Sequence, residues 1–267
     1  DGTGTSVENA VRGGVKGERA LEKPSDRRVV ISVGVGKRYE PYVRRLHRTV
    51  DQFWSGPTMF YDGRYPEGSP THEEVNYGFK AYAVREAVAR GYTCLLYCDS
   101  CVVARSPLEP LFDHIQKVGY VLIGDSHRVR DWTSDAALRW TGFRRSDIPP
   151  DRTSAAGGFV GMDLLHSTGK LLCDSWLDAV EKKLTGVLWA NGPIGDRASS
   201  CSFHTGEFIA EDPTVQGHMG DEAILGLLML KYGLRAEHGS NPWCSQFENG
   251  VFLSTGYDDG KYGALDR

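Results

Sequence analysis

The amino-acid sequence predicts an α/β fold in which a mainly parallel sheet is flanked by helices. Two observations lead to this prediction. A β-branched run at 29–36 precedes apolar residues at helical spacing over 41–56, and a second strand-like run at 58–63 precedes another helical pattern that ends at Gly91. A third apolar run follows at 93–98. Strands that alternate with helices favour right-handed crossovers and a parallel sheet.

The individual elements carry their own local signals. Pro41 begins the first helix, and Thr71 with Glu74 forms a capping-box pattern that predicts the start of the second. Further along the chain the pattern predicts a short helix after Pro107, strands at 119–124 and 157–163, a helix around 172–180, an irregular Gly- and Ser-rich loop at 186–206, and a helix at 221–232.

Composition places the chain among ordinary globular proteins. Hydrophobic residues make up 40% and charged residues 25%, and no apolar run is long enough to span a membrane. A net charge of −4 gives no general attraction to nucleic acid or to anionic lipid. Six cysteines, several in apolar surroundings, favour a reducing, cytoplasmic origin. We expect a flexible N-terminal arm at 1–28 and one domain at 29–267.

The stretch LLYCDSCVV (95–103) ends a buried strand with a carboxylate between two thiols. Cys98 and Cys101 form a C-x-x-C pair, but no helix follows that would stabilise a thiolate, which argues against a redox pair. A structural zinc site with Cys201 and His204 stays open as an alternative. The other interpretation is that Asp99 binds a ligand, because parallel sheets bind ligands beyond the carboxyl ends of their strands.

The order of motifs resembles GT-A glycosyltransferases, which use nucleotide-diphosphate sugars. LLYCDSCVVARSPLEPLF (95–112) is similar to their strand, acidic Asp-x-Asp motif, second strand and Pro-Leu helix, and GHMGDEAILGLLMLKYGL (217–234) is similar to their His-x-x-Asp-Gln/Glu segment. The resemblance covers about residues 29–243. It implies a GT-A-like, Rossmann-like single domain with a nucleotide-binding half at 29–124 and an acceptor half at 125–267.

One position departs from the family pattern. The second acidic residue of the motif is Cys101, a soft ligand that suits Mn²⁺ or Mg²⁺ poorly. The resemblance, including HGSNPW (238–243), then leaves two alternatives. Either Asp99 binds a divalent metal with His238, or Asp99 contacts hydroxyl groups while Lys37, Arg38, Lys80 or Arg105 neutralises the diphosphate.

The resemblance also implies further donor-binding residues. They are Gly34, Val35, Lys37 and Tyr39 in the loop after the first strand, Lys80 in the second helix, Asp99, Ser100 and Cys101 in the acidic motif, and Gly157 with Gly158 before a later strand. Each has an ordinary structural alternative: a glycine turn, a solvated helical lysine, or a bulge.

Two more pairs of residues are candidates for the acceptor and for the chemistry. Trp132 and Asp135 combine an aromatic face with a carboxylate, as a sugar-binding site does, although Thr133 or Ser134 could instead cap a helix there. Asp221 and Glu222 begin a helix and are the candidate catalytic bases. Carboxylates at a helix start are also stabilised by the helix dipole without any catalytic role.

Taken together, these residues predict a hexosyltransferase-like enzyme. The expected partners are a nucleotide-sugar donor, with UDP as the expected nucleotide, and a hydroxyl-bearing acceptor: a glycan, protein, lipid or modified nucleic-acid base. Two competing hypotheses remain, a non-catalytic sugar-nucleotide-binding pseudoenzyme and a zinc-stabilised protein of another function.

Overall fold

The structure is a computed structural model that describes residues 27–189, 210–212, 214–238, 241–245 and 250–255. Residues 1–26 of the predicted arm and most of the predicted loop at 186–206 lie outside the described residues. Arg28, which the sequence analysis placed in the arm, is the first residue of a strand. In the described part of the chain, no helix combines the length and the apolar character needed to cross a bilayer.

The described elements are ten strands, six α-helices and one short 3-10 helix (Arg145–Asp147). The strands are β1 (Arg28–Gly34), β2 (Thr58–Asp62), β3 (Cys94–Cys98), β4 (Val102–Ala104), β5 (Tyr120–Arg128), β6 (Thr153–Asp163), β7 (Val187–Trp189), β8 (Gly217–Met219), β9 (Cys244–Ser245) and β10 (Phe252–Ser254). The helices are α1 (Glu40–Phe53), α2 (Gly78–Ala89), α3 (Glu109–Val118), α4 (Asp135–Thr141), α5 (Ser167–Glu181) and α6 (Asp221–Tyr232).

Five strands form the main sheet in the order β2-β1-β3-β6-β5. β1 pairs in parallel with both β2 and β3, whereas β6 is antiparallel to its neighbours β3 and β5. Four of the five strands therefore run in one direction, and the prediction of an α/β fold with a mainly parallel sheet is confirmed. β4 belongs to a separate small sheet, β4-β10-β9, and β7 pairs with β8.

The sheet is covered on both faces, which explains why β1 and β3 are almost continuously apolar. Alternate residues of β1 point to opposite faces: Val29 and Ile31 pack with α2, α5 and α6, while Val30 packs with α1 and α3. The carboxyl ends of β1 and β3 consequently open at one edge between the two helical layers.

The start of α2 differs from the sequence prediction. The capping-box contacts form, with the Thr71 amide donating to Glu74 Oε2 at 2.8 Å and the Glu74 amide to Thr71 Oγ1 at 3.3 Å. However, they close a turn and not a helix, because Tyr77 has a left-handed conformation (φ 58°). α2 therefore begins at Gly78, and the Tyr77 ring lies over the Lys80 ammonium group, 4.7 Å from Nζ to the ring centroid.

Candidate functional site

Asp99 lies where β3 leaves the sheet. All five residues of β3 are buried, whereas the Asp99 side chain is 23% exposed. Its backbone amide donates to the Gly158 carbonyl at 2.8 Å, and the Tyr97 hydroxyl donates to Asp99 Oδ1 at 3.1 Å. Asp99 is thus held at the edge of the sheet with part of its carboxylate open to a ligand.

A buried lysine joins Asp99 to a second carboxylate. Lys80 of α2 is 2% exposed, and its Nζ lies 3.1 Å from Asp99 Oδ1 and 2.9 Å from Asp221 Oδ2. It also donates to the Gly157 carbonyl at 3.0 Å. Asp221, the first residue of α6, is itself almost fully buried. We call Lys80, Asp99 and Asp221 the Lys80 cluster; it takes residues from both predicted halves of the domain.

The charges of the Lys80 cluster depend on one another. Burial by itself lowers the pKa of Lys80, but the carboxylates of Asp221 and Asp99 outweigh it, so the pKa lies above its usual value. Burial raises the pKa of Asp221, and Lys80 opposes that shift. With all three groups ionised, the cluster has one net negative charge, so it suits hydroxyl groups better than phosphates.

Two glycines of β6 allow the two carboxylates to approach the sheet. A Cβ atom at Gly157 would lie 2.1 Å from Asp221 Oδ2, and one at Gly158 would lie 2.8 Å from Asp99 Oδ2. Real side chains do not approach so closely, and Asp221 has no exposed space into which to move. The Lys80 cluster therefore requires Gly157, whereas a Cβ at Gly158 would displace the partly exposed Asp99 carboxylate.

A cleft with a cavity volume of about 220 Å³ extends from Asp99 along the carboxyl end of β1. Five of its eleven lining residues carry an aromatic ring, and its charged residues are Glu73, Lys80 and Asp99. The lining residues are Val33, Val35, Tyr39, Tyr65, His72, Glu73, Tyr77, Phe79, Lys80, Asp99 and Ser100. An apolar, ring-lined cleft with a few convergent polar groups is the usual form of a small-molecule site.

The loop after β1 contributes to this cleft unevenly. Val35 and Tyr39 line it, and Tyr39 is 38% exposed. Lys37 is exposed but does not line the cavity. Gly34 has a packing role, because a Cβ there would lie 2.7 Å from Val43 Cβ. The donor-binding roles of these residues stay predictions.

A second charged cluster lies where β5 ends against the start of α6. His127 Nδ1 is 2.7 Å from Asp125 Oδ1 and 3.2 Å from Glu222 Oε2. We call Asp125, His127 and Glu222 the His127 cluster. The adjacent carboxylate of Glu222, followed by that of Asp125, raises the pKa of His127, although partial burial opposes the shift. Burial raises the pKa of Glu222, and the contact with His127 opposes it.

Of the two predicted acceptor residues, Trp132 lies beside the His127 cluster. The Trp132 ring meets the His127 ring edge to face, with centroids 5.5 Å apart. Asp135 binds Arg145 Nη2 at 2.7 Å and accepts a hydrogen bond from the Glu211 amide. The Ser134 hydroxyl accepts a hydrogen bond from the Ala137 amide and caps α4. Asp135 has a local structural role, and an acceptor contact for either residue stays a prediction.

The sequence predicts that Asp99 and His238 can bind one metal ion together. Among the described residues, neither belongs to a group of three potential metal ligands. The His238 ring packs against Gly124 of β5. Beside Asp99, the ammonium group of Lys80 already occupies the position that suits a cation. The surroundings of Asp99 therefore fit a divalent metal poorly, and the pair stays a prediction.

The thiols of the C-x-x-C pair differ in burial. Cys98 is fully buried and Cys101 half-buried. Burial, with a smaller contribution from Cys244, raises the pKa of Cys98 well above its usual value, which keeps it a thiol and not a thiolate. The other two residues of the zinc alternative, Cys201 and His204, lie outside the described residues.

Sequence reasoning missed Asp125 and His127. Both are carried by β5, which continues through Arg128, four residues beyond the predicted strand end at 124. The available signal was the sequence IGDSHR (123–128), which places a carboxylate and an imidazole two residues apart after an apolar run, much as the Asp99 strand ends. It also missed the aromatic lining residues Tyr65, His72 and Tyr77.

Comparisons with known proteins give distant similarities only. No protein-family model matches the sequence, and no curated protein matches it. Among solved structures, a glycosyltransferase involved in the glycosylation of the major capsid of PBCV-1 has a TM-score of 0.35 at 14% identity, covering 70% of this chain and 81% of that one. Mouse xyloside xylosyltransferase 1 in its apo form has a TM-score of 0.44 at 9% identity, covering 81% and 86%. At these values the function must be derived from the site itself.

Proposed function

We propose that this chain is a glycosyltransferase that binds a nucleotide-diphosphate sugar in the aromatic cleft and transfers the sugar to a hydroxyl acceptor. The observation that carries the proposal is the Lys80 cluster at the inner end of that cleft. It places two carboxylates and a buried ammonium group beside the carboxyl ends of β1 and β3, where open α/β sheets bind ligands.

The aromatic part of the cleft suits a nucleoside. The rings of Tyr39, Tyr65, Tyr77 and Phe79 supply apolar faces for a base and a ribose. Glu73 and Ser100 add polar groups that can bind ribose hydroxyls. The resemblance in sequence predicts UDP as the nucleotide, so UDP-hexoses are the first donors to test.

The Lys80 cluster suits the sugar. Sugar hydroxyl groups donate to carboxylates, and Asp99 has the more exposed carboxylate of the pair, at 23% against 3% for Asp221. Lys80 fixes both carboxylates in place. Because the cluster is not cationic, the diphosphate needs other positive groups, and Lys37 and Arg38 are exposed on the loop after β1.

The reaction needs an acceptor oxygen to attack the anomeric carbon while the bond from that carbon to the diphosphate breaks. If configuration inverts, a base takes the acceptor proton as the new bond forms. Of the two predicted bases, Asp221 is buried against Lys80, whereas the Glu222 side chain is 23% exposed. Glu222 is therefore the better candidate base; a reaction that retains configuration needs no base at this position.

The proposal is tested with the purified full chain and a panel of nucleotides and nucleotide sugars. Ligands that bind raise the melting temperature by mass action. We expect UDP or another nucleoside diphosphate to raise it, and the matching nucleotide sugar to be consumed in the presence of a hydroxyl acceptor. No stabilisation by any nucleotide in the panel, together with no turnover, would refute the proposal.

Cys101 favours one alternative, a pseudoenzyme that binds sugar nucleotides without transferring the sugar. Cys101 replaces the second acidic residue of the predicted motif, and the residues around Asp99 fit a divalent metal poorly. Binding of a nucleotide sugar with neither hydrolysis nor transfer across a broad acceptor panel would favour this alternative.

A further inference from the structure

We infer that the His127 cluster is a binding site for a divalent transition-metal ion, separate from Asp99. The three side chains come from two elements, β5 and the first turn of α6, and their candidate ligand atoms all lie within 4.8 Å of one another. Metal binding is measured with the metal alone, so the test does not depend on the proposed function. With the ion bound, Glu222 would be a ligand and would not act as the base proposed above.

Two carboxylates converge on His127 Nδ1 from different elements of the fold. Both carboxylates approach this one nitrogen, at 2.7 and 3.2 Å, yet among the described residues Nδ1 has no aligned hydrogen-bond partner, and neither does Glu222 Oε2. Both atoms are shielded from solvent. Ligand atoms at about 2.1 Å from one metal lie about 3.0–3.4 Å from each other. The 3.2 Å separation from Glu222 Oε2 falls in this range, whereas Asp125 Oδ1, at 2.7 Å, would have to move slightly outward. An ion between the three side chains would bind the two atoms that have no aligned partner in the described part of the chain, His127 Nδ1 and Glu222 Oε2. Its third ligand would be Asp125 Oδ1, which also accepts hydrogen bonds from the Ser126 and His127 amides.

The charge balance favours a dication. When His127 is neutral, as a metal ligand must be, the carboxylates of Asp125 and Glu222 contribute two negative charges that no proton on the ring compensates. The start of α6 opposes a cation, but its dipole amounts to only about half a positive charge. The neighbouring Asp221 is already paired with Lys80. The net field at the His127 cluster is therefore negative.

The ligand types select the ion. One imidazole nitrogen with two carboxylates suits Mn²⁺ or Zn²⁺ better than Mg²⁺ or Ca²⁺, which prefer oxygen ligands alone. Three protein ligands leave further coordination positions for water or for a bound molecule, as in catalytic metal sites. The edge contact of Trp132 with the His127 ring restricts the ring orientation that such a site requires.

The direct test is titration of the chelator-treated full chain with Mn²⁺, in which the electron paramagnetic resonance signal of the free ion measures how much remains unbound. A parallel titration with Zn²⁺ is measured by calorimetry. We expect about one ion per chain in the wild type. His127→Gln and Asp125→Asn should each weaken binding at least about 100-fold, since even outer-shell changes cost about 10- to 100-fold.

Controls separate this site from the other candidates. Asp99→Asn and His238→Gln should leave the affinity unchanged, and far-ultraviolet circular dichroism establishes that each variant is folded. If a variant fails to fold, Co²⁺ added to the wild type provides the readout, because ligation by imidazole in a site of low coordination number strengthens its visible absorption. Binding lost in Asp99→Asn but kept in His127→Gln would overturn the inference. The inference would also be overturned if the wild type bound none of Mn²⁺, Zn²⁺ and Co²⁺. The cluster would then be an ion pair of a protonated His127 with two carboxylates.

Discussion

The Lys80 cluster and the His127 cluster each combine two carboxylates with one nitrogen base, yet they are built differently. Lys80 is 2% exposed and reaches both carboxylates and the Gly157 carbonyl at 2.9–3.2 Å. His127 is 33% exposed, and its Nδ1 has no aligned partner among the described residues. The first cluster contains its own permanent cation, whereas the second has a base that can lose its proton and accept a metal. The two clusters have the same number of carboxylates and nitrogen bases, but only the His127 cluster is suited to bind a metal ion.

The largest effect is expected for Lys80→Met, which leaves the buried Asp221 carboxylate and the partly exposed Asp99 carboxylate without a cation. We expect a loss of about 3–5 kcal/mol in the free energy of unfolding, measured with urea, because breaking one side of a buried ion pair leaves the other side uncompensated. Lys182→Met, which removes an exposed lysine that pairs with Asp178, is the matched control and should change far less.

A double variant tests whether Asp221 is the carboxylate that Lys80 stabilises. Adding Asp221→Asn to Lys80→Met should recover part of the lost stability, because one of the stranded charges is removed. If the double variant were as unstable as Lys80→Met, the Asp221 carboxylate would not be the group that Lys80 stabilises.

The second effect concerns Asp99→Asn. We expect turnover of the nucleotide sugar to fall at least about 100-fold, as for the loss of one well-placed electrostatic contact to a transition state. The free energy of unfolding should change little in comparison with Lys80→Met, since the carboxylate is partly exposed and Asn can still accept a hydrogen bond. Full activity in this variant, measured by release of the nucleoside diphosphate, would remove Asp99 from the site.

A smaller effect is expected in the pH dependence of stability at the His127 cluster, measured with a chelator present to remove metal ions. The pKa of His127 is raised above its usual 6.5, so the stability that its protonated form contributes is complete below pH 6.5. It is lost as the pH rises through the folded-state pKa. The stability difference between the wild type and His127→Gln should therefore be larger below pH 6.5 than at alkaline pH; a difference independent of pH would show that Asp125 and Glu222 do not stabilise the imidazolium.

The smallest effect is expected for Cys101→Asp, which supplies the missing second carboxylate of the acidic motif. If this position faces the donor diphosphate, the variant should bind Mn²⁺ beside Asp99 and show stronger Mn²⁺ dependence of turnover. Cys101→Ser is the uncharged control. Indifference of the Asp variant to Mn²⁺ would show that position 101 points elsewhere.

Much of the sheet could be predicted from the sequence because its signals are local. The runs that form β1, β2 and β3 are apolar, and the helix at 221–232 has the predicted bounds. The start of α2 could not be predicted, since the capping box at Thr71 forms and yet Tyr77 takes a left-handed conformation. The antiparallel β6 depends on pairing across the whole sheet, which no local pattern reports.

The site was predictable in part for the same reason. The position of Asp99 at a strand end follows from the apolar run before it. The burial of Lys80 does not, because it depends on Asp221 and Gly157, which are distant in sequence. A helical lysine looks solvated until these partners are in place. Likewise the His127 cluster exists only because α6 begins against β5.

The most direct test of the central claim, that the Lys80 cluster holds the donor sugar, is calorimetric binding of a nucleotide sugar and of its free nucleoside diphosphate. For the wild type we predict that the sugar improves affinity at least about 10-fold, as expected for hydrogen bonds to charged groups, and that Asp99→Asn loses this gain. Equal affinities for the two ligands in the wild type, or a gain that survives in Asp99→Asn, would contradict it.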